Sequence, residues 1–132
     1  MGTVVDTSVL IAVERGQLDA SRLRDHEDQA TVLAAVTASE LLEGVHRAQS
    51  AVHRTRRERF VEGTLATFTI VPFGLEIARV HARLAVELDA AGTRIGEADL
   101  MIAATAVWLD YRIATRDLRS FPKIPNLDVV RW

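Results

Sequence analysis

Four carboxylates of the chain stand beside apolar sequence, where a charge is costly. Asp6 follows "VV", Glu40 precedes "LL", Asp99 precedes "LMIAA" and Asp117 comes after "RIAT". Carboxylates near a core repel one another and lose hydration, so they need a balancing positive charge. Arg116 adjoins Asp117, but one arginine cannot balance four acids. A Mg²⁺ or Mn²⁺ ion can, because it binds carboxylate oxygens and keeps waters for substrate phosphates.

Each acid taken alone also has a purely structural explanation. Asp6 can cap the helix that follows it, and Asp99 can sit in a first helical turn, where the helix dipole favours a negative charge. The residues from Thr37 to Glu40 match a capping box, and Asp117 suits a turn. The joint pattern of four acids against apolar runs favours the metal-ligand interpretation.

An alternation of strands and helices positions these acids. Short apolar runs predict strands at 3–5, 30–36, 69–73, 112–115 and 127–132, and helical patterns lie at 8–16, 19–28, 37–49, 51–68, 75–92 and 96–110. Gly16 and Gly92 are expected to end two of the helices. This alternation predicts a three-layer α/β sandwich with a mainly parallel central sheet. Because functional crevices lie at the carboxyl ends of parallel strands, all four acids can meet at one edge.

Composition limits the class of protein. The 132 residues, 48% of them hydrophobic, are expected to form a single domain over 1–132. The net charge of -2 provides no general basic field, so RNA would be bound through a local patch or through metal ions. The absence of cysteine suits a reducing compartment, and no apolar run is long enough to span a membrane. We therefore expect a cytoplasmic protein.

Four motifs together resemble the PIN-domain ribonucleases, in particular the VapC toxins of type II toxin–antitoxin systems. They are "VVDTSVLI", "SELLEG", "ADLMIAATA" and "ATRD", and their order and spacing span the chain. The resemblance implies a PIN-like fold in which the catalytic, metal-binding acids are Asp6, Glu40, Asp99 and Asp117. Thr115 becomes an accessory residue of the same edge, and Ser120 stands where many relatives carry a further acid.

The same resemblance implies an activity and its partners. The expected reaction is endonucleolytic hydrolysis of RNA phosphodiesters by metal-activated water, which leaves a 5′-phosphate and a 3′-hydroxyl. Mg²⁺ or Mn²⁺ is the implied cofactor. A VapB-type antitoxin is the implied protein partner, and such toxins are typically homodimers.

Two other features receive weaker interpretations. Glu43 and His46 have the spacing of a di-iron ligand pair, but no second such motif is present, so Glu43 is at most an accessory residue of the site. The basic stretch that contains Arg54, Arg56 and Arg57 can contact RNA phosphates, or it can be a solvated helix face. Core packing or a subunit contact would explain the two tryptophans, at positions 108 and 132.

Three alternatives differ in class. A receiver domain expects paired acids after the first strand, but Asp6 is followed by Thr7 and Ser8, and the only lysine, Lys123, lies in a Pro-rich loop. A haloacid-dehalogenase-like phosphatase expects D-x-D, and Ser8 occupies the second position. A PIN-like RNA-binding or protein-binding module without catalysis is the remaining alternative, and the Ser120 departure is its one argument.

Overall fold

The computed structural model describes residues 2–24 and 30–132. Within them the chain alternates strands and helices in the predicted order. The strands are β1 (Thr3–Val5), β2 (Thr31–Ala34), β3 (Thr69–Val71), β4 (Arg112–Thr115) and β5 (Val129–Arg131). The α-helices are α1 (Thr7–Glu14), α2 (Ser21–Arg24), α3 (Ala35–His46), α4 (Ala51–Thr67), α5 (Leu75–Ala90) and α6 (Glu97–Leu109), and a 3₁₀ turn covers Phe121–Lys123.

The five strands form one all-parallel sheet in the order β3-β2-β1-β4-β5. Chain order runs outward from β1 to β3 on one side and then returns to β4 on the other side. The strand order therefore reverses between β1 and β4, and the crevice of an open parallel sheet lies at such a reversal. Asp6 and Thr115 are at the carboxyl ends of these two strands.

Successive residues of the strands pack on opposite faces of the sheet. Val4 packs with α5 and α6, whereas Val5 packs with α1, α3 and α4. Val32 and Leu33 on β2 divide in the same way. Each central strand thus buries both of its faces, which explains why these strands are almost entirely apolar. The predicted three-layer α/β sandwich is confirmed.

The helix ends follow the sequence signals in two cases and depart from them in a third. Gly16 and Gly92 adopt positive φ angles of 71° and 70°, as expected of residues that terminate helices. Asp110 does the same after α6, with a φ of 57°, although no glycine marks that position. Aspartate tolerates the left-handed conformation better than most residues, and this tolerance permits the sharp turn into β4.

Several predicted boundaries are wrong by two residues, at the ends of β2 and β3 and at the starts of α3 and β5, and one predicted helix is only partly described. Strand β2 ends at Ala34 and α3 begins at Ala35, so Thr37 does not start the helix. Its hydroxyl is instead buried 3.3 Å from that of Thr7 on α1. The helix predicted at 19–28 corresponds to α2 at its start, and 25–29 lie outside the described residues. In the described part of the chain, no helix has the length and apolarity needed to cross a membrane.

Candidate active site

Asp6 presents its carboxylate to the edge of the sheet between β1 and β4. Its backbone occupies the N-cap position of α1, but its side chain makes no capping hydrogen bond, so the capping explanation is wrong. The Ser8 and Thr115 hydroxyls donate to its Oδ2 atom over 2.6 and 2.8 Å. Only 6% of Asp6 is exposed. The carboxylate is thus held by hydroxyl groups, which orient it without neutralising it.

Glu40 reaches the same edge from α3. Because α3 begins at Ala35, Glu40 lies in its second turn, and the capping-box explanation is wrong. Its Oε1 atom accepts a hydrogen bond of 2.7 Å from the Thr7 hydroxyl. Burial raises the pKa of Glu40, the Thr7 bond opposes that rise, and repulsion from Asp6 and Asp99 adds to it.

Asp99 occupies the first turn of α6 and is half-buried. Burial raises the pKa of Asp99, a hydrogen bond from the Ser120 side chain opposes the rise, and repulsion from Asp6 and Asp117 adds to it. The end of β1 and helices α3 and α6 therefore bring three acids close enough for Asp6 to disfavour the ionisation of Glu40 and Asp99. We call Asp6, Glu40 and Asp99 the inner acids.

Asp117 differs from the inner acids because it has a cation as its partner. Arg119 Nε and Nη2 donate to the two oxygens of its carboxylate over 2.9 and 2.8 Å, and the Arg119 backbone N–H donates over 3.0 Å. The Arg119 side-chain bonds lower the pKa of Asp117 from 3.8 to about 2. We call Asp117 and Arg119 the outer ion pair.

Hydroxyl groups link the two parts of the site. Thr115 is fully buried, donates to Asp6, and accepts a hydrogen bond of 2.9 Å from the Asp117 backbone N–H. Ser8 accepts one of 3.0 Å from the Arg116 backbone N–H while it donates to Asp6. The sequence analysis assigned no role to Ser8 or Arg119. The available signals were the hydroxyl residues directly after Asp6 and the arginine two positions after Asp117.

The other predicted residues lie beside the inner acids or face solvent. Glu43 is exposed and faces Arg47 at 3.8 Å, and its charge adds to the repulsion that raises the pKa of Glu40. Arg57 donates to the Gly44 carbonyl over 3.1 Å, which holds α4 against α3. Arg54 donates to the Ala48 carbonyl, between α3 and α4, over 3.2 Å, and Arg56 is exposed. The interpretation of this helix as an RNA contact stays a prediction.

A cavity of about 90 Å³ lies between α1, α3 and α4, and Glu40 is on its wall. Its lining combines apolar and charged side chains, among them Ile11, Glu14, Phe60 and Arg57. Glu40, one of the inner acids, thus adjoins a recess among the helices that cover one face of the sheet. Elsewhere, Trp132 is buried in the core, whereas 43% of Trp108 is exposed on α6.

The donor set fits a hard divalent cation, although the donors do not yet surround one point. Over residues 2–24 and 30–132, no three His, Asp or Glu side chains are already arranged around a metal position. The ion pairs of this part of the chain also leave out the inner acids. Oxygen-only donors that repel one another are the chemistry that Mg²⁺ or Mn²⁺ satisfies. The carboxylates would have to move closer together on binding.

Comparison with known proteins agrees with this architecture. The sequence matches the PIN domain family over residues 3–127. It is 38% identical over 130 residues to Ribonuclease VapC of Rickettsia bellii, covering 98% of this chain and 96% of that one. It is 30% identical to a chain of VapBC-5, a toxin–antitoxin family member of Mycobacterium tuberculosis, with a TM-score of 0.81 and coverage of 99% and 98%.

A further solved structure shares the fold. VapBC2 of Rickettsia felis, bound to a DNA fragment from its promoter, has a chain that superposes with a TM-score of 0.89 at 21% identity, over 100% of this chain and 99% of that one. An all-parallel sheet with acids at its point of strand reversal agrees with a PIN domain, and the match over residues 3–127 defines that class. The chain belongs to the PIN-domain family and, within it, to the VapC ribonucleases.

Proposed function

We propose that residues 1–132 form one PIN-like domain that acts as a Mg²⁺- or Mn²⁺-dependent endoribonuclease, the toxin of a VapBC-type pair. One observation carries the proposal: the end of β1 and helices α3 and α6 bring Asp6, Glu40 and Asp99 to one edge, where repulsion from Asp6 raises the pKa of the other two. Within residues 2–24 and 30–132, none of the three takes part in an ion pair. That arrangement lowers stability in the absence of a ligand, so it is best explained by a ligand of opposite charge.

Each residue of the edge has a distinct task in this proposal. Asp6, Glu40 and Asp99 hold the cation, and Asp117 is the fourth ligand, which contributes least because Arg119 already binds its carboxylate. When bound, such a cation lowers the pKa of water and neutralises charge on the phosphodiester. The Thr115 and Ser8 hydroxyls restrict the orientation of Asp6, and the Thr7 hydroxyl restricts that of Glu40. Orientation of this kind reduces the rearrangement required when substrate binds.

We further propose that a VapB-type antitoxin binds over the cavity between α1, α3 and α4. Support comes from the position of the cavity beside Glu40, where a bound segment would block access to the inner acids. The related solved structures named above are VapBC complexes, which makes an antitoxin the expected kind of partner. A homodimer in the cytoplasm completes the proposal, and the exposed Trp108 is a candidate subunit contact.

RNA cleavage with a matched pair of variants tests the activity. Purified protein is incubated with total cellular RNA and Mg²⁺ or Mn²⁺, with EDTA as the metal-free control, and the cut ends are mapped. Asp99→Asn should lower cleavage by about 100-fold or more, because a metal-binding acid contributes several kcal/mol to the transition state. Asp89→Asn makes the same chemical change at an exposed position near the end of α5 and should leave cleavage intact.

The possible results separate the proposals. Metal-dependent cuts bearing 5′-phosphates, lost in Asp99→Asn, would support the nuclease and identify its RNA. Equal cleavage by Asp99→Asn and Asp89→Asn would contradict the role of the inner acids. Absence of cleavage in the wild type, together with RNA binding, would favour the non-catalytic binding module instead.

A further inference from the structure

Arg119 is the exposed cation of the acidic edge. Its side chain is 88% exposed, whereas that of its partner Asp117 is 36% exposed, so the outer ion pair turns its positive end towards solvent. The guanidinium is also close enough to Asp99 to lower the pKa of that acid. A positive group therefore stands at the outer margin of an otherwise anionic site.

Hydrogen bonding to Asp117 leaves Arg119 with donors to spare. A guanidinium carries five N–H groups, and the Asp117 carboxylate engages the Nε and Nη2 atoms. The two N–H groups of Nη1 and the second of Nη2 remain for another acceptor. Because three hydrogen bonds fix the residue to Asp117, little side-chain entropy is lost when that acceptor binds.

Three other arginines already donate hydrogen bonds to backbone carbonyls of the protein. The Arg116 guanidinium donates to the Trp132 carbonyl over 3.0 Å, although its backbone adjoins Asp117. Arg54 donates to the Ala48 carbonyl between α3 and α4, and Arg57 to the Gly44 carbonyl on α3. Arg119 instead combines charge, exposure and proximity to the inner acids.

We propose that Arg119 binds a backbone phosphate of the RNA next to the scissile bond, and that Asp117 is the positioning residue that holds it there. This inference rests on the proposed ribonuclease function. RNA approaching the inner acids brings a phosphate at every nucleotide, and the phosphates that no metal contacts are repelled by the acids. A guanidinium offers phosphate a charge-assisted, bidentate contact, which is stronger than a neutral hydrogen bond.

Binding to RNA at several salt concentrations tests the proposal. The probe is a fluorescein-labelled single-stranded RNA of about twelve nucleotides, within the range that one binding site covers. Ca²⁺ replaces Mg²⁺ so that a divalent ion is present during the titration, and a gel confirms that the RNA stays intact. Fluorescence anisotropy gives the affinity of wild type, Arg119→Gln and the control Arg116→Gln. Both variants lose one positive charge at nearly the same position in the chain.

Arg119→Gln should weaken RNA binding by about fivefold and make the plot of log affinity against log salt shallower by about 0.7, the value for one phosphate contact on a single strand. Arg116→Gln should leave this slope unchanged. The loss caused by Arg119→Gln should be smaller but still measurable when Asp117 is already Asn, because the guanidinium is then held less firmly and keeps its charge. An undiminished loss there would contradict the positioning role of Asp117. If the loss disappeared, Arg119 would only neutralise Asp117, and the proposal would be overturned.

Two further outcomes are distinguishable. Normal RNA binding by the wild type with equal slopes for Arg119→Gln and Arg116→Gln would overturn the role of Arg119 and leave the ribonuclease proposal standing. Failure of the wild type to bind the RNA would contradict RNA as the substrate and, with it, the role of Arg119.

Discussion

The inner acids and the outer ion pair lie at one edge but balance their charge in opposite ways. Asp6 and Glu40 receive hydrogen bonds from hydroxyls, and the pKa of Glu40 and of Asp99 is raised by burial and by repulsion from Asp6. Asp117 is held by a guanidinium, and its pKa is lowered to about 2. Hydroxyls orient a carboxylate and leave its charge available, whereas an arginine neutralises it. The inner acids are therefore the part of the site prepared for an external cation.

The largest expected contrast is between two glutamates three residues apart on α3. Glu40→Gln should lower RNA cleavage by about 100-fold, because it removes an inner acid. Glu43→Gln should change cleavage by less than about twofold, because Glu43 is exposed, pairs with Arg47 at the surface and is the last of the causes that raise the pKa of Glu40. Initial rates on the same mapped RNA measure both variants. Equal losses in the two variants would remove the distinction between an inner acid and a surface acid.

A smaller effect is expected from the hydroxyl that joins the two parts of the site. Thr115→Val removes the donor to Asp6 and the acceptor of the Asp117 N–H in a fully buried position. Loss of such buried partners should lower the free energy of unfolding by about 1–3 kcal/mol. Urea unfolding measures it. Thr67→Val removes an exposed hydroxyl from α4 and should cost less than about 0.5 kcal/mol.

Thr115→Ser provides the complementary control, because it keeps the hydroxyl and removes a methyl group. It should retain most of the stability that Thr115→Val loses. If Ser and Val were equally destabilising, packing of the methyl group would explain the effect and the linking role of the hydroxyl would be wrong.

The smallest expected contrast is that the inner acids and Asp117 change stability with pH in opposite directions. Because their pKa values are raised, Glu40 and Asp99 bind protons more tightly in the folded protein than in the unfolded protein. Without metal, the free energy of unfolding therefore falls as the pH rises above their ordinary pKa values of 4.5 and 3.8. Asp117 contributes stability above pH 3.8 that is lost as pH falls towards 2.

Urea unfolding in EDTA across this pH range measures both directions. Asp99→Asn should reduce the decline of the free energy of unfolding towards neutral pH by up to about 1 kcal/mol, after allowance for screening by solvent. Asp117→Asn should reduce the loss at acid pH by a smaller amount, because its ion pair is exposed. A shift of the same sign in both variants would contradict the contrast.

Sequence patterns predicted the elements far better than the contacts between them. The β-branched runs and the two terminating glycines define most boundaries because they report local preferences. The start of α3 was predicted two residues late, because Thr37 looks like a cap locally and is instead buried against Thr7 from another helix. Such long-range hydroxyl contacts leave no periodic signal.

The candidate site shows the same division. Acids at strand ends could be predicted to converge, since the carboxyl ends of parallel strands share an edge. The partner of Asp117 could not be predicted, because the sequence alone allows either Arg116 or Arg119 to reach it. The structure assigns Arg116 to the Trp132 carbonyl and Arg119 to the carboxylate.

Calorimetric titration with Mn²⁺ tests the central claim, that the inner acids form a cation site, most directly. Wild type, Asp6→Asn and Asp117→Asn are titrated under the same conditions, and thermal unfolding confirms that each is folded. We expect saturable binding by the wild type, weakening by at least about tenfold in Asp6→Asn, and a smaller effect in Asp117→Asn. Absence of Mn²⁺ binding by the wild type at millimolar concentration, or unchanged binding in Asp6→Asn, would contradict the claim.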